Sequence, residues 1–212
     1  KERIESELRI AHQIQMDMIP KIFPPYPDRK DLDVYASLTP AKEVGGDLYD
    51  FFMQDNMLNY IIGDVAGKGV PASLVMAVAR TMFRIIAANQ ADPAKIVTQL
   101  NNALSDGNDT CTFVTVFVGV IDLDARHMVY CNGGHDAPVI ITPDGHAQFM
   151  DLIPNMPAGI ISDFEYKKQE MDFPVNTTIL MYTDGLNEAE NSQRKQYSEK
   201  RILDAIEEHE YP

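Results

Sequence analysis

The grouping of helical and strand-like segments is the feature that most restricts the fold of this chain. Two helical stretches, 71–89 and 92–104, follow one another between two groups of strand-like runs, and a third begins at Ser198. Helices placed between successive strands would indicate a parallel sheet, and this chain lacks that alternation. Turn signals such as Asp55-Asn56 favour hairpins between neighbouring strands. The sequence therefore predicts an α+β fold with antiparallel sheets.

The first 20 residues predict a separate helix ahead of this domain. Apolar residues recur at heptad spacing, with polar Gln15 in a gap of the seam and Pro20 at its end. The seam consists of Ile4, Leu8, Ala11 and Met18. Such a stripe suits a two-stranded coiled coil and equally suits a lone helix packed on a domain, and both interpretations stay open. Residues 21–212 then form the second unit.

Bulk properties limit the class of protein. The chain has 212 residues, of which 45% are hydrophobic, which is enough for one substantial core. Its formal charge of -14 opposes binding to nucleic acid or to anionic lipid. No window approaches the 18 or so continuous apolar residues of a membrane span. Cys111 and Cys131 lie in apolar runs without CxxC spacing, so two buried, reduced thiols are expected.

Three aspartates share one local pattern, in which a strand begins or ends at an acid beside glycine. They are Asp47 in "GGDLYD", Asp64 in "IIGDVAGKG" and Asp184 in "LMYTDG". Carboxylates gathered at the rim of a sheet repel one another and need cations, and nearby basic residues are few. All-oxygen donors suit Mg²⁺ or Mn²⁺ rather than Zn²⁺. The alternative is that each acid belongs to an ordinary turn, because Asp beside Gly is a common turn composition.

Other polar groups offer weaker candidates. The segment "GDVAGKG" lacks P-loop spacing, with Val70 where Ser or Thr would stand, yet its backbone amides at Gly67 and Gly69 can help to hold an anion. His135 in "NGGHDAP" is bracketed by a glycine-rich loop and can reach a phosphate or a water, although a loop histidine is more often structural. No serine or cysteine stands in a nucleophile motif.

Five motifs in order resemble the SpoIIE/RsbU-type serine phosphatases of bacteria, which are metal-dependent, type 2C-like (PPM) protein phosphatases. They read "PAKEVGGDLYDF", "GDVAGKGVPASLVM", "TFVTVFVGVID", "NGGHDAP" and "YTDGLNEAEN". The resemblance runs from about Ala11 to the end, and "AHQIQMDMIP" resembles the regulatory linker helix of that family. It implies a type 2C-phosphatase-like sandwich of two antiparallel β-sheets flanked by α-helices, with an N-terminal linker helix.

The resemblance also implies a binuclear Mn²⁺ or Mg²⁺ centre. Asp47 and Asp64 would be the shared ligands, the Val65 carbonyl would contribute through the backbone, and Asp184 would bind one ion. A water held by the two ions would attack a phosphoserine or phosphothreonine. Lys42, five residues before Asp47, is a candidate phosphate contact, with His135, Gly67 and Gly69 as further ones.

Two departures from the family pattern bear on this centre. The family continues to a last strand with a further acidic ligand, whereas this sequence stops at Pro212, so we expect a truncated C-terminal end and an incomplete site. Asp136 stands where the family usually has Asn after the glycine-histidine pair, which adds a carboxylate that weakens phosphate binding or contributes a metal contact.

The function expected from the resemblance is a protein serine/threonine phosphatase module in bacterial signalling. Its substrate would be a phosphorylated anti-sigma-factor antagonist, with an upstream sensor in the parent chain and a possible homodimer through the N-terminal helix. A first residue of Lys1 suggests a piece of a longer protein, cytoplasmic or the cytoplasmic part of a membrane-anchored parent. The alternatives are a catalytically silent binding module with the same fold and a hydrolase of small phosphate esters.

Alternation along "GGDLYDF" gives one further expectation. The glycines would clear space for Asp47, while Tyr49 and Phe51 on the same face hold its carboxylate. Asp50 lies one residue off that face and is expected to behave as an ordinary strand acid.

Overall fold

Helices and strands occur in the predicted grouping in the computed structural model of the chain, which describes residues 2–208. The helices are α1 (Glu2–Met18), α2 (Val70–Ala87), α3 (Pro93–Ser105), α4 (Asp184–Asn187) and α5 (Glu199–Glu207). The strands are β1 (Leu48–Gln54), β2 (Met57–Val65), β3 (Val114–Asp122), β4 (His127–Gly133), β5 (Val139–Ile141), β6 (Ala147–Phe149), β7 (Gln169–Asp172) and β8 (Thr178–Leu180).

Two antiparallel sheets carry the fold. The larger has the order β1-β2-β3-β4-β7 and the smaller has the order β6-β5-β8. Leu48 pairs with Gly63, and Asp64 pairs with Thr115, so the ends of β1 and β2 and the start of β3 meet at one edge. The predicted turn at Asp55-Asn56 joins β1 to β2, with Asp55 in the left-handed region at φ 53°. The predicted α+β class with antiparallel sheets is confirmed.

Three hydrophobic clusters separate four layers. The first lies between helices α2 and α3 and the larger sheet, and it includes Met76, Phe83 and Leu100. The second includes Phe117 from the larger sheet and Ile140 from the smaller one, so it lies between the two sheets. The third joins β5 and β6 to α5. The layers therefore run helices, sheet, sheet, helix, because each sheet buries both of its faces.

Helix α2 is long and apolar enough to cross a membrane by length and composition, which the sequence had not indicated. In the structure it is a core helix. Met76 and Phe83 on its inner face are fully buried, and Arg80 and Arg84 on the same helix bind Asp50 of β1. These contacts account for the inner face of α2 alone, because Leu74, Val78 and Ile85 on its outer face are exposed.

Helix α1 packs on the domain through its C-terminal half. Gln15 is 4% exposed and Ile19, just after the helix, belongs to the first hydrophobic cluster. The N-terminal part differs, because Ile4, Ile10 and Ile14 are exposed. The structure thus supports the packed-helix interpretation for half of α1 and leaves an apolar face open on the other side.

Several expectations differ from the structure. Cys111 is exposed, with φ 52°, rather than buried, because it lies in the loop before β3. Residues 32–38 alternate in sequence but join no sheet. Residues 164–173 are strand-like in sequence, and only Gln169–Asp172 of them form a strand, β7. The helical pattern that begins at Ser198 continues in sequence to Glu210, and residues 209–210 lie outside the described part of the chain.

Candidate metal centre

Asp47 and Asp64 are brought together by the pairing of β1 with β2. Leu48 faces Gly63 across the ladder, so the residue before β1 and the next-to-last residue of β2 are neighbours. Their carboxyl groups lie within hydrogen-bonding range of each other, a contact that favours a proton on Asp64 rather than on Asp47. Two partly buried carboxyls this close together mark a place where a cation would bind.

Gly46 allows the close approach of these two segments. A Cβ atom at this position would lie 2.9 Å from the Val65 carbonyl oxygen and 3.3 Å from Asp64 Oδ1. Contacts below 3.0 Å require the backbone to shift, so a side chain at Gly46 would push β2 away from the chain before Asp47. The predicted reason for the glycine, close backbone approach, therefore holds at Gly46, and the Val65 carbonyl lies at the same spot.

Burial and mutual repulsion raise the pKa of both carboxyls. Asp64 has its pKa raised to about 7, first by burial and then by the charges of Asp47 and Asp184. Burial also raises the pKa of Asp47, against a hydrogen bond from Thr183 that lowers it. No lysine or arginine contributes to either shift. The pair therefore lacks the basic partner that an ordinary buried acid would have.

Asp184 reaches the same edge from the other sheet. It follows β8 as the first residue of α4 and is exposed. The hydrogen bond between Thr183 and Asp47 ties this segment to the start of β1. The structure thus brings Asp47 and Asp64 into contact, and Asp184 acts on both through its charge.

These donors fit a hard divalent ion that keeps water ligands. Two carboxylates, a backbone carbonyl and a nearby exposed acid are all oxygen donors, as Mg²⁺ and Mn²⁺ prefer. Within residues 2–208, no three side chains of the His, Cys, Asp and Glu types enclose a complete ion site by themselves. An ion here would therefore depend on waters or on further ligands to fill its coordination.

His135 links the two sheets at this edge. Its Nδ1 lies 3.0 Å from Thr115 Oγ1 on β3, and its Nε2 lies 3.0 Å from the Tyr182 carbonyl oxygen. A carbonyl only accepts, so Nε2 carries the proton and the Thr115 hydroxyl donates to Nδ1. Burial lowers the pKa of His135 to about 4, which keeps it neutral. Both ring nitrogens are occupied within the protein, and the phosphate contact stays a prediction.

The remaining phosphate candidates lie in exposed loops near the acids. Lys42 is exposed in the loop before Asp47. Gly67 and Gly69 have φ values of 107° and 74° in the loop from β2 to α2, and a Cβ atom at either would meet nothing within 4 Å. Their positive φ values explain the glycines. Anion binding by these three residues stays a prediction.

Asp50 does not behave as an ordinary strand acid. Its side chain is fully buried, with its Oδ2 2.6 Å from Arg84 Nε and 2.7 Å from Arg80 Nε. Arg84 also donates to the carbonyl oxygen of Phe51. Alternation along β1 predicted that Asp50 lies away from the metal centre, and it does. The face of β1 that carries Asp50 is covered by α2, however, and is not exposed to solvent.

Gln15 is a contact that reading the sequence missed. Its Nε2 donates to the Gly45 carbonyl at 2.6 Å, and the Gly45 amide donates back to its Oε1 at 3.1 Å. One side chain of α1 therefore holds both polar groups of a residue two positions before Asp47. The signal was present as a polar residue in an apolar seam, which indicates a buried amide with a specific partner.

Comparison with known proteins agrees with this geometry. The chain is 28% identical to the phosphoserine phosphatase RsbU of Bacillus subtilis over 88% of its length, and 25% identical to RsbP of the same species, also named a phosphoserine phosphatase, over 85%. It spans 55% and 45% of those two proteins, or about half of each. The structure of the SiaA-PP2C domain of Pseudomonas aeruginosa superposes with a TM-score of 0.78 at 22% identity, covering 98% of this chain and 83% of that one.

The two-sheet sandwich is thus the fold of that PP2C domain. The sequence model described as "Stage II sporulation protein E (SpoIIE)" matches residues 54–212, three quarters of the chain. The predicted resemblance is confirmed, and the chain belongs to the SpoIIE family.

Proposed function

We propose that this chain is the catalytic module of a metal-dependent protein serine/threonine phosphatase. The observation that carries the proposal is the Asp47–Asp64 pair, whose raised pKa values have no basic side chain to offset them. Membership of a family with named phosphoserine phosphatases supports the reaction, and phosphatases of this family are metal-dependent. The Asp47–Asp64 pair would be stabilised by a bound cation, and the named relatives indicate that such a cation would serve phosphoserine hydrolysis.

The residues of the edge would divide the work as follows. Asp47 and Asp64 would hold two Mn²⁺ or Mg²⁺ ions, together with the Val65 carbonyl and Asp184. Bound ions of this kind lower the pKa of water and offset charge on a phosphate ester. Thr183 keeps Asp47 oriented by its hydrogen bond. His135 remains neutral and fixes the spacing between β3 and the segment after β8.

The finer features of the function are part of the same proposal. The substrate would be a phosphoserine or phosphothreonine protein, with a phosphorylated anti-sigma-factor antagonist as the specific expectation. Lys42, Gly67 and Gly69 would contact its phosphate. A sensor in the parent chain would act through α1, and the module would work in the cytoplasm, free or attached to a membrane-anchored parent. The acidic charge of -14 supports a protein rather than a nucleic acid substrate.

Two other functions have a specific observation in their favour. A silent binding module is favoured because no complete ion site is formed by the acidic, His and Cys side chains of residues 2–208. A hydrolase of small phosphate esters is favoured by the openness of the loop at Gly67 and Gly69. Both alternatives have the same fold as the proposed phosphatase. The binding module would hydrolyse no phosphate ester, and the hydrolase would turn over small esters faster than phosphoproteins.

Hydrolysis of p-nitrophenyl phosphate with Mn²⁺ tests the reaction. We expect metal-dependent turnover by a form extended past Pro212, and loss of at least 100-fold in Asp184→Asn. Asp144→Asn, in an exposed turn, is the matched control and should keep full activity. An extended form that lacks turnover with Mn²⁺ would leave the silent module as the better account. Faster turnover of p-nitrophenyl phosphate than of a phosphoserine protein would favour the small-ester hydrolase.

A further inference from the structure

The two sheets leave a cavity between β4 and β7 of the larger sheet and β5 and β6 of the smaller one. It has a volume of about 300 Å³. Apolar and polar side chains share its walls, among them Ile140, Met150, Met171, Tyr130, Asp151 and Gln169. The cavity is separate from the metal centre, since Asp47, Asp64 and Asp184 do not line it.

The Gln169 side chain fixes one wall of this cavity. Its Nε2 donates to the Asp151 carbonyl oxygen at 2.9 Å, and its Oε1 accepts from the Ile153 amide at 2.6 Å. The Met150 amide donates to the Pro138 carbonyl oxygen at 2.9 Å. The segment that follows β6 is therefore held both to β7 and to the residue before β5, so the cavity is formed before any ligand enters it.

Tyr130 brings a buried hydroxyl without a partner to the cavity. The residue is 5% exposed, and its ring stacks on that of Phe117 with 5.4 Å between the ring centroids. Within residues 2–208, the hydroxyl forms no hydrogen bond. Burial and the charge of Asp151 on the cavity wall raise the pKa of Tyr130, so the hydroxyl lies on the cavity side. Buried tyrosine hydroxyls normally have a partner, and here a molecule in the cavity would supply it.

The volume and the walls of the cavity indicate a flat aromatic ligand. A cavity of about 150 Å³ holds one benzene ring, so twice that volume accommodates two fused rings. Met150 and Met171 have flexible thioether side chains, which adapt to a ligand and make favourable contacts with ring edges. A few polar groups in such a site then fix the orientation of the ligand.

Asp151 determines which charge this ligand can carry. Its side chain is exposed, so it lies where the cavity opens to solvent. Lys168, the basic residue next to Gln169, is bound to Asp92 with 2.7 Å between Nζ and Oδ2. An anionic ligand would be repelled by the Asp151 carboxylate, whereas an amino group or a ring N–H would donate to it.

We propose that this cavity binds a fused two-ring aromatic molecule that carries an amino group or a ring N–H. The rings would lie against Ile140, Met150 and Met171. The nitrogen would donate to Asp151, and the Tyr130 hydroxyl would bond to the polar edge of the ligand. The site goes beyond the proposed phosphatase function and does not rest on it.

Indole fluorescence tests the site directly, because the chain contains no tryptophan. Indole, tryptamine and indole-3-acetate share one ring system and differ in charge. We expect tryptamine to bind more tightly than indole, and indole more tightly than indole-3-acetate, by about threefold or more at each step. Failure of all three probes to bind at millimolar concentration would overturn the proposal, and so would affinities that do not depend on charge.

Three variants locate the bound probe. Tyr130→Phe keeps the stacked ring and should weaken tryptamine binding by about three- to tenfold. Asp151→Asn should abolish most of the difference between tryptamine and indole-3-acetate. Glu170→Gln is the matched control, because it removes a negative charge from β7 at a side chain that is 69% exposed and lies beside His127. It should leave the affinities unchanged. Unaltered binding in both Tyr130→Phe and Asp151→Asn would overturn the proposal.

Two further measurements separate this site from the metal centre. Melting temperatures verify that each variant is folded before it is titrated. In methyl NMR spectra, tryptamine should shift the signals of Met150 and Met171 both in EDTA and in Mg²⁺, and unshifted signals at saturating tryptamine would count against the site. None of these measurements uses turnover, so failure of this site and failure of the phosphatase proposal are seen independently.

Discussion

Asp47 and Asp50 lie three residues apart along one segment, and their surroundings give them opposite needs. Asp47 is crowded by other acids, whereas Asp50 is bound by Arg80 and Arg84. The same change, from aspartate to asparagine, should therefore have opposite effects on the stability of the metal-free protein. Asp47→Asn removes a repelled charge, and Asp50→Asn leaves two guanidinium groups without their anion.

We predict that Asp50→Asn lowers the free energy of unfolding by about 2–3 kcal/mol. This is less than the full loss expected for a wholly buried pair, because Arg84 is 40% exposed and can be hydrated. Asp47→Asn should keep or raise the stability in EDTA and reduce Mn²⁺ affinity much more than Asp50→Asn does. Urea denaturation and Mn²⁺ titration of the two variants check this. Equal destabilisation by both changes would contradict it.

The raised pKa of Asp64 predicts a pH-dependent stability for the metal-free chain. An aspartate has an ordinary pKa of 3.8, and that of Asp64 is raised to about 7, so the folded chain binds the extra proton between these values. The free energy of unfolding should then fall as the pH rises from about 4 to about 7. The pKa of His135 is lowered to about 4, which has the opposite effect. It raises the free energy of unfolding as the pH rises from about 4 to 6.5.

Urea denaturation in EDTA at pH 5 and pH 7.5 measures this dependence. Asp64→Asn is the control, because it removes the Asp64 contribution and leaves that of His135. The decline should be absent or reversed in this variant, because the remaining His135 contribution raises the free energy of unfolding as the pH rises toward 6.5. A parallel decline in both proteins would show that Asp64 is not the responsible group.

Residue patterns predicted the acids better than their partners. The strand-end pattern found Asp47, Asp64 and Asp184 because the position of an acid beside glycine is local information. Thr183 beside Asp47 and Asn187 beside Asp136 were missed because they depend on how β5 and β8 align, which no local pattern records. Asp50 was misjudged because alternation identifies a face but not what covers it.

At the scale of elements, α1 and the loop before β1 act as one piece. The Gly45 peptide groups are held by Gln15, and His12 Nδ1 lies 2.6 Å from the Glu43 carbonyl oxygen. Movement of α1 would therefore be transmitted to the loop that ends at Asp47. This contact joins a helix expected to receive a signal with the segment expected to bind metal.

Gln15→Ala should lower the free energy of unfolding by about 1–3 kcal/mol, since it leaves both polar groups of Gly45 without their partner. Mn²⁺ affinity should fall as well, because the backbone before Asp47 is less well held. Gln13→Ala is the matched control: Gln13 is exposed and bonds only to Asp17 in its own helix. Similar results for the two variants would mean that α1 does not position the loop. Urea denaturation and calorimetric titration with Mn²⁺ provide the comparison.

Helices and strands were predicted correctly where the apolar repeat extends over many residues. Helices α2 and α3 and the hairpin of β1 with β2 agree with the sequence, because their apolar faces extend over many residues. Residues 32–38 alternate equally well but lie outside both sheets, since alternation does not supply a neighbouring strand. The short helix α4 has too few residues to show a period.

At the scale of the whole molecule, the exposed apolar face of α1 is the surface through which we expect the predicted homodimer to form. Ile10 and Ile14 are exposed on this helix, whereas Gln15 and Ile19 are buried against the domain. The predicted seam consists of Ile4, Leu8, Ala11 and Met18, of which only Ile4 is exposed and the other three are half-buried. A dimer formed through α1 would therefore use the outward face of Ile10 and Ile14 rather than that seam.

We predict that the Ile10→Glu, Ile14→Glu double variant shifts the molecular mass in solution from dimer to monomer without a change in melting temperature. Light scattering over a range of concentrations measures it. Glu7→Lys, which changes an exposed charge on the same helix, is the control. A monomeric mass for the unsubstituted chain would exclude the homodimer through this helix.

The contact of His135 with both sheets has a mechanical consequence. Asp47 and Asp64 belong to the larger sheet and Asp184 follows the smaller one, so the edge is assembled from two bodies that could slide past each other. The neutral imidazole of His135 bonds to Thr115 on one side and to the Tyr182 carbonyl on the other, and its width sets the distance between them. Sliding by about one ångström would change the distance between Asp184 and the Asp47–Asp64 pair, so the two contacts of His135 fix the spacing that any ion shared by these acids would meet.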